Sequence, residues 1–276
     1  MCDDGDGFLT SDTVKEGYIK PFGKAWKKVT YADVGGVAVF EGCILLGATE
    51  EIEANNLTIE AKLKTMPDLL KNPKIKLMGV AIKGQQFRWP GRVIPFVLPA
   101  GFPNPKRVTD AIAHWHSKTS IRFIPRTSEN DFVLFKVVDN GCASIVGRKK
   151  GMQELVLRSG CTTGHIIHEL GHAVGLWHEQ SRADRNSFVD VDLRQIDQNK
   201  AHNFDQHIQD GIDIGTYDFG SIMHYPPGAF SVTGNPSITP KVALPPGVVM
   251  GQRDGLSAGD IATVEELYKG MASAHA

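Results

Sequence analysis

A chain of 276 residues that is 41% apolar can bury a real core, as one large domain or two small ones, and reads as a soluble globular protein. A net charge of -1 removes the electrostatic case for a nucleic-acid partner or an anionic membrane surface, because neither sign dominates. No apolar run approaches the roughly 20 residues that span a bilayer. The opening MCDDGDGF has neither the basic nor the apolar region of a signal peptide, which leaves a cytosolic protein or an exported one whose signal has been removed.

In chain order, the first ten or so residues are acidic and glycine-containing and read as disordered. Gly35 to Leu46, GGVAVFEGCILL, turns apolar and β-branched and predicts a strand or extended segment. The charged stretch after Gly47 has partial helical spacing, but Asn55-Asn56 and two prolines, Pro67 and Pro73, interrupt it. A new pattern begins near Gly79: strand-like runs VAIKGQQFRWP, RVIPFVLP, IRFIPR, DFVLFKVV and QELVLR, with a helix over Val108 to Ser117. Short strands and one helix ahead of a histidine-rich helix indicate a mixed α+β unit. Beyond Arg182 the chain is loop-rich to about Gly259, and the last helix is Ala258 to Tyr268. No internal repeat is present.

Gly164 to Gln180, GHIIHELGHAVGLWHEQ, carries four of the ten histidines. On a helix His168 and His172 lie one turn apart on one face, close enough to share a metal ion. Glu169 is placed to take a proton from water and pass it to a leaving amine. His178 is the candidate third ligand, but ten further residues of helix would carry it about 15 Å along the axis. The helix must therefore end and fold back, and Gly175 accepts the left-handed conformation that ends helices. Three neutral imidazoles with an open fourth position describe a catalytic zinc site. The alternative is a surface helix with incidental histidines. His165 fits no ligand role and reads as a first-turn polar residue; His114, His116, His202, His207, His224 and His275 read as structural or solvated.

Cys2, Cys43, Cys142 and Cys161 form no CxxC pattern. Cys142 and Cys161 each follow a glycine and flank the strand-like QELVL. A disulfide between them would close a loop of about 20 residues, contribute on the order of 3 kcal/mol and point to an oxidising compartment; two separate buried thiols are the alternative.

The phrase HExxHxxGxxH resembles the metzincin metallopeptidases, and its continuation HEQSRADR, His178 to Arg185, resembles the astacin family. SIMHY, Ser221 to Tyr225, matches the family's methionine turn, which implies that Met223 underlies the metal site and that Tyr225 is a further ligand that swings away to stabilise the oxyanion. AIKGQQFRWPGRVIPF resembles the start of the mature domain, and IRFIPR and the two glycine-preceded cysteines also match. The likeness covers roughly residues 79 to 268. It implies a two-lobed α+β catalytic domain, with a mixed sheet and helices above the cleft and an irregular lower lobe ending in the C-terminal helix. One Zn²⁺ per chain is implied, with substrate lying along an edge strand. Two departures stand out: Ser120 occupies the position of a family cysteine whose partner near the C-terminus is also absent, and Asp184-Arg185-Asn186 replaces the usual DRD.

In the family the mature N-terminus pairs with the glutamate after the third histidine, here Glu179. A chain with some 78 earlier residues cannot make that pair, so the resemblance implies a proenzyme: residues 1–78 a propeptide and 79–276 the catalytic domain. Family propeptides carry FEGDI, whose aspartate occupies the zinc; here Cys43 follows Phe40-Glu41-Gly42. A thiolate beside three histidines makes a closed tetrahedral set, so Cys43 is expected to act as a cysteine switch. A buried thiol, or a bridge to Cys2, is the bland reading. Within the family the chain resembles a bacterial, elastin-cleaving branch. The implied partners are protein or peptide substrates, extracellular matrix proteins among them, and an activating protease, with secretion as the location. Cys2 also resembles the lipidated cysteine of an exported lipoprotein, against the reading of a dispensable tail. The rivals to an enzyme are a zinc module whose ligands serve only stability, and a secreted binding protein on an inactive protease fold.

Overall fold

The computed structural model describes residues 7–19, 26–65, 81–207 and 211–271. Cys2, His275 and the expected activation region around Gly79 lie outside them. The N-terminal segment forms β1 (Val14–Ile19), β2 (Lys27–Val34), β3 (Val37–Phe40), β4 (Ile44–Ala48) and helix α1 (Thr49–Thr65). Then come β5 (Ala81–Ile82), β6 (Val93–Val97), α2 (Lys106–Lys118), β7 (Arg122–Pro125), β8 (Phe132–Val137), β9 (Cys142–Ser144), β10 (Met152–Leu157) and α3 (Thr163–Val174). The last part holds β11 (Val189–Val191), β12 (Gly211–Ile212), β13 (Ile238–Pro240) and α4 (Ala258–Leu267), joined by loops and short 3₁₀ segments.

One sheet of nine strands, ordered β1-β2-β3-β4-β9-β10-β8-β6-β7, runs through the molecule. Its second half is parallel except for β9, which pairs antiparallel with β10. Beneath it α2 and α3 pack through Val108, Ala111, Trp115, Ile166, Leu170 and Ala173, the one-sided spacing that makes a helix amphipathic. Val264, Leu267 and Tyr268 bring α4 back into the same core. A second cluster, around Phe204, Tyr217, Tyr225, Ile238 and Met250, holds the loop-rich part together.

The N-terminal half departs from the sequence reading. Gly35 and Gly36 both take positive φ, 60° and 88°, the hairpin geometry for which Gly-Gly is suited, and turn β2 into β3. Gly35 to Leu46 is therefore no single extended segment: it turns again at Glu41–Cys43, and β4 joins β9 in parallel through Ile44 and Ser144. Helix α1 runs through Asn55-Asn56. Asn56 accepts from Tyr18 N (2.7 Å) and donates to Glu16 O (3.1 Å), so a tie to β1 offsets its poor helix propensity. Residues 7–10 are ordered against the rest, with Phe8 and Leu9 buried.

The two predicted cysteine outcomes are both resolved. Cys142 and Cys161 form a disulfide that ties the start of β9 to the approach of α3. At Ser120, hydrogen bonds replace the missing bridge: its N–H and hydroxyl both donate to Glu265 of α4 (2.6 and 2.8 Å), and Arg92 donates to the Ser120 hydroxyl (2.6 Å).

Candidate metal centre

Helix α3 starts at a capping box in which Thr162 and His165 exchange side-chain and backbone bonds, which gives His165 the first-turn role its position suggested. The helix ends at Gly175, with φ 123°, whose N–H donates to Gly171 O and His172 O. A Cβ there would come within 2.9 Å of Ile82, so the turn needs glycine for both conformation and space. The fold-back brings the third histidine to the first two: His168 and His178 Nε2 lie 3.3 Å apart.

Each imidazole is fixed from behind. Nδ1 of His168 donates to Ile222 O, that of His172 to Leu176 O, and that of His178 to Glu41 Oε2, all at 2.8 Å. This leaves every Nε2 facing one point, the outer bonding that orients metal-ligating histidines. Cys43 Sγ lies 3.6, 3.3 and 3.1 Å from Nε2 of His168, His172 and His178. A tetrahedron with Zn–N near 2.05 Å and Zn–S near 2.3 Å has edges of roughly 3.3 to 3.6 Å, close to these separations, and all four ligand atoms lie within 4.8 Å of one another. Among the described residues this is the only such metal-ligating cluster.

Burial pushes the three imidazoles below their usual pKa, which keeps them neutral as a metal requires. It pushes the Cys43 thiol well up, with the Glu169 charge adding to the effect, so a thiolate here needs a cation beside it. Glu169 is buried and raised well above the carboxylate range by desolvation, against the pull of Arg253; its Oε2 has no hydrogen-bond partner among the described residues.

Met223 packs against α3: a Cβ on Gly171 would meet its Sδ at 2.7 Å. Asp260 holds the turn by accepting from Ser221 Oγ and Ile222 N, which fixes the Ile222 carbonyl behind His168. The Tyr225 ring lies 4.7 Å from that of His178, tilted 54° to it, and its hydroxyl donates to Glu41 O at 2.7 Å. Glu179 accepts from Asp218 N (2.8 Å) and lies 3.5 Å from Arg182; burial outweighs that guanidinium and raises its pKa to about 8.

Several residues at the centre carried no signal in the sequence. Glu41, fully buried with φ 47°, accepts from His178, His207 Nε2 and Ser181 Oγ, each at 2.8 Å. His207 stacks on Trp177 with centroids 3.9 Å apart, and so is part of the site, where the sequence reading left it structural or solvated. Arg253 donates to Ile222 O (3.0 Å), the carbonyl that fixes His168. Only the oddity of a glutamate inside an apolar run could have pointed to Glu41.

The family model of the astacin peptidases matches residues 81–269. The chain belongs to the astacin family. It is 43% identical over 182 residues to high choriolytic enzyme 2 of Oryzias latipes, covering 64% of this chain and 63% of that one. To zinc metalloproteinase nas-13 of Caenorhabditis elegans it is 38% identical over 205 residues, 71% of this chain and 45% of the relative. It thus spans less than two thirds of either relative's length. Among solved structures, high choriolytic enzyme 1, a hatching enzyme zinc-protease of Oryzias latipes, aligns with TM-score 0.58 at 37% identity over 72% of this chain and 98% of that one. Myroilysin aligns with TM-score 0.50 at 21% identity, over 68% and 98%, which is a likeness of fold. In this astacin-family chain the metal that His168, His172 and His178 fit is zinc, and no helix among the described residues is long and apolar enough to cross a membrane.

Proposed function

We propose that the chain is the latent form of a secreted zinc endopeptidase, with residues 1–78 a propeptide and 79–276 the catalytic domain. The observation that carries this reading is Cys43 Sγ completing the tetrahedral set of His168, His172 and His178. The propeptide also takes the substrate's place on the sheet. Cys142 N donates to Gly7 O (2.8 Å) and Ser144 N to Cys43 O (2.9 Å), so the β9 backbone donors that would hold an extended peptide are engaged. The disulfide supports an oxidising location and hence secretion.

When bound, zinc lowers the pKa of water towards about 7 and polarises a peptide carbonyl. Glu169 takes the proton of the attacking water and returns it to the departing amine; its buried, raised pKa suits both duties. The Tyr225 hydroxyl, released from Glu41 O when the propeptide leaves, donates to the developing oxyanion. Glu179, whose raised pKa shows that Arg182 alone does not offset its desolvation, receives the new N-terminal ammonium after a cut near Gly79 by an activating protease. Substrates are proteins or peptides in extended conformation, extracellular matrix proteins among them. The test uses the full chain, zinc-loaded and processed by limited proteolysis: casein is cleaved, and Glu169→Gln lowers the rate on the order of 10² to 10⁴-fold. A folded, zinc-loaded, processed protein that cut no protein substrate would defeat the reading.

A further inference from the structure

Closing the metal site with a thiolate does not require Phe8, yet this residue is buried deep beside it. Its ring stacks on Phe230 with centroids 4.6 Å apart and planes at 15°, and stands edge-on to Tyr225 at 4.9 Å. Phe204 packs edge-on against both of these rings, 5.7 Å from Tyr225 and 6.0 Å from Phe230. Among the described residues Phe8 is the only member of this apolar cluster from the N-terminal segment; every other member lies between Phe188 and Met250. The box therefore belongs to the catalytic domain, and the propeptide fills it.

Backbone bonds on both sides set the entry. Cys142 N donates to Gly7 O (2.8 Å) and Leu9 N to Gly42 O (2.6 Å), so Phe8 enters between the start of β9 and the turn that carries Cys43. A Cβ on Gly42 would come within 2.9 Å of Phe8 and 3.0 Å of Phe230, which makes the fit close. The box adjoins the chemistry, since the Tyr225 ring lies between Phe8 at 4.9 Å and the His178 ring at 4.7 Å. Phe230 sits at φ 54°, a conformation that a bulky residue rarely adopts and that concentrates at functional sites.

We propose that Tyr225 and Phe230, backed by Phe204, form a specificity pocket for an aromatic substrate side chain next to the scissile bond, and that Phe8 occupies it in the latent chain as a stand-in for that side chain. This rests on the endopeptidase reading. An aromatic side chain regains the stacked and edge-on contacts that Phe8 makes, whereas an alanine leaves the box unfilled. The expected discrimination is on the order of 10- to 100-fold in kcat/KM.

The experiment uses the full chain processed by limited proteolysis, with casein fragments mapped by mass spectrometry to locate the scissile bonds. Two quenched fluorescent peptides built on the best of them then differ only in Phe or Ala beside that bond. The proposal expects aromatic residues enriched at one position flanking the cuts, a Phe/Ala ratio of kcat/KM on the order of 10 to 100, and a fall of that ratio towards one in Phe230→Ala. Phe230→Leu, which keeps the bulk and removes the ring, should give an intermediate ratio. A ratio near one in the wild-type enzyme, or one unchanged in a folded Phe230→Ala, overturns the pocket while leaving the protease intact. Cleavage of neither peptide nor casein overturns the endopeptidase reading and the pocket with it. The wild-type comparison decides the matter even if the variants fail to fold.

Discussion

Two sides of the metal centre are held in different ways. His168 and His172, on α3, donate to Ile222 O and Leu176 O, both within residues 81–269, so that part of the chain orients two ligands by itself. His178, past the Gly175 turn, is fixed by Glu41 of the N-terminal segment, and Cys43, two residues further on, brings its Sγ within 3.1 Å of His178 Nε2. One short turn thus carries both the proposed fourth ligand and the carboxylate behind the third histidine. Latency, on this account, is written twice: in the thiolate, and in the carboxylate behind the third histidine.

The sharpest way to break that comparison is to remove the thiol alone. Cys43→Ala in the intact chain opens the fourth position, and casein cleavage should rise on the order of 100-fold over the wild-type intact chain, the equivalent of about 3 kcal/mol of latch free energy. An unchanged rate would mean that Cys43 is only a buried thiol.

Removing the carboxylate tests the other half. Glu41→Ala leaves His178, His207 and Ser181 without their buried acceptor, and should destabilise the intact chain by about 2 to 4 kcal/mol in chemical denaturation. Cys43 should also react faster with a thiol reagent. Processed enzyme lacks residue 41, so the two preparations should then perform alike.

Glu179 gives a pH-dependent contrast. Its pKa is raised from 4.5 to about 8, so between those values the folded intact chain binds the proton that the unfolded chain has lost. Stability is therefore lost as pH rises through that window, on the order of 3 to 5 kcal/mol from this group. Glu179→Gln should flatten the dependence of the denaturation midpoint on pH between 5 and 8, whereas an identical slope in both proteins would remove Glu179 as its source. Glu41, held far below the carboxylate range by His207 and His178 against its burial, contributes the opposite sign: stability present above its unfolded value and lost on acidification.

The centre divides in the same way in the sequence. His168, Glu169, His172, Gly175 and His178 could be read because their geometry is local: one helical turn, one stop and one return. Met223, Tyr225 and Cys43 needed the family resemblance, since a lone methionine, tyrosine or cysteine has a blander reading. The contacts that Glu41 makes were not legible. Glu41 meets His207 across 166 residues and Ser181 across 140, and no periodicity encodes contacts at that range. Phe8 was lost in an acidic, glycine-containing opening that reads as disorder, although two apolar residues suffice to anchor it. The helix through Asn55-Asn56 was missed because its asparagine is satisfied by a strand, a tertiary contact that outweighs propensity. The fold was legible from Gly79 onward; the added strands β1 and β2 were not.

The central claim is that Cys43 completes the metal site of the intact chain. X-ray absorption at the zinc edge of full-length, zinc-loaded protein tests it most directly. The account predicts one sulfur scatterer at about 2.3 Å and three nitrogens at about 2.0 to 2.1 Å, with the sulfur lost in Cys43→Ala. A first coordination sphere of nitrogen and oxygen only, with no sulfur in the wild-type chain, would contradict it.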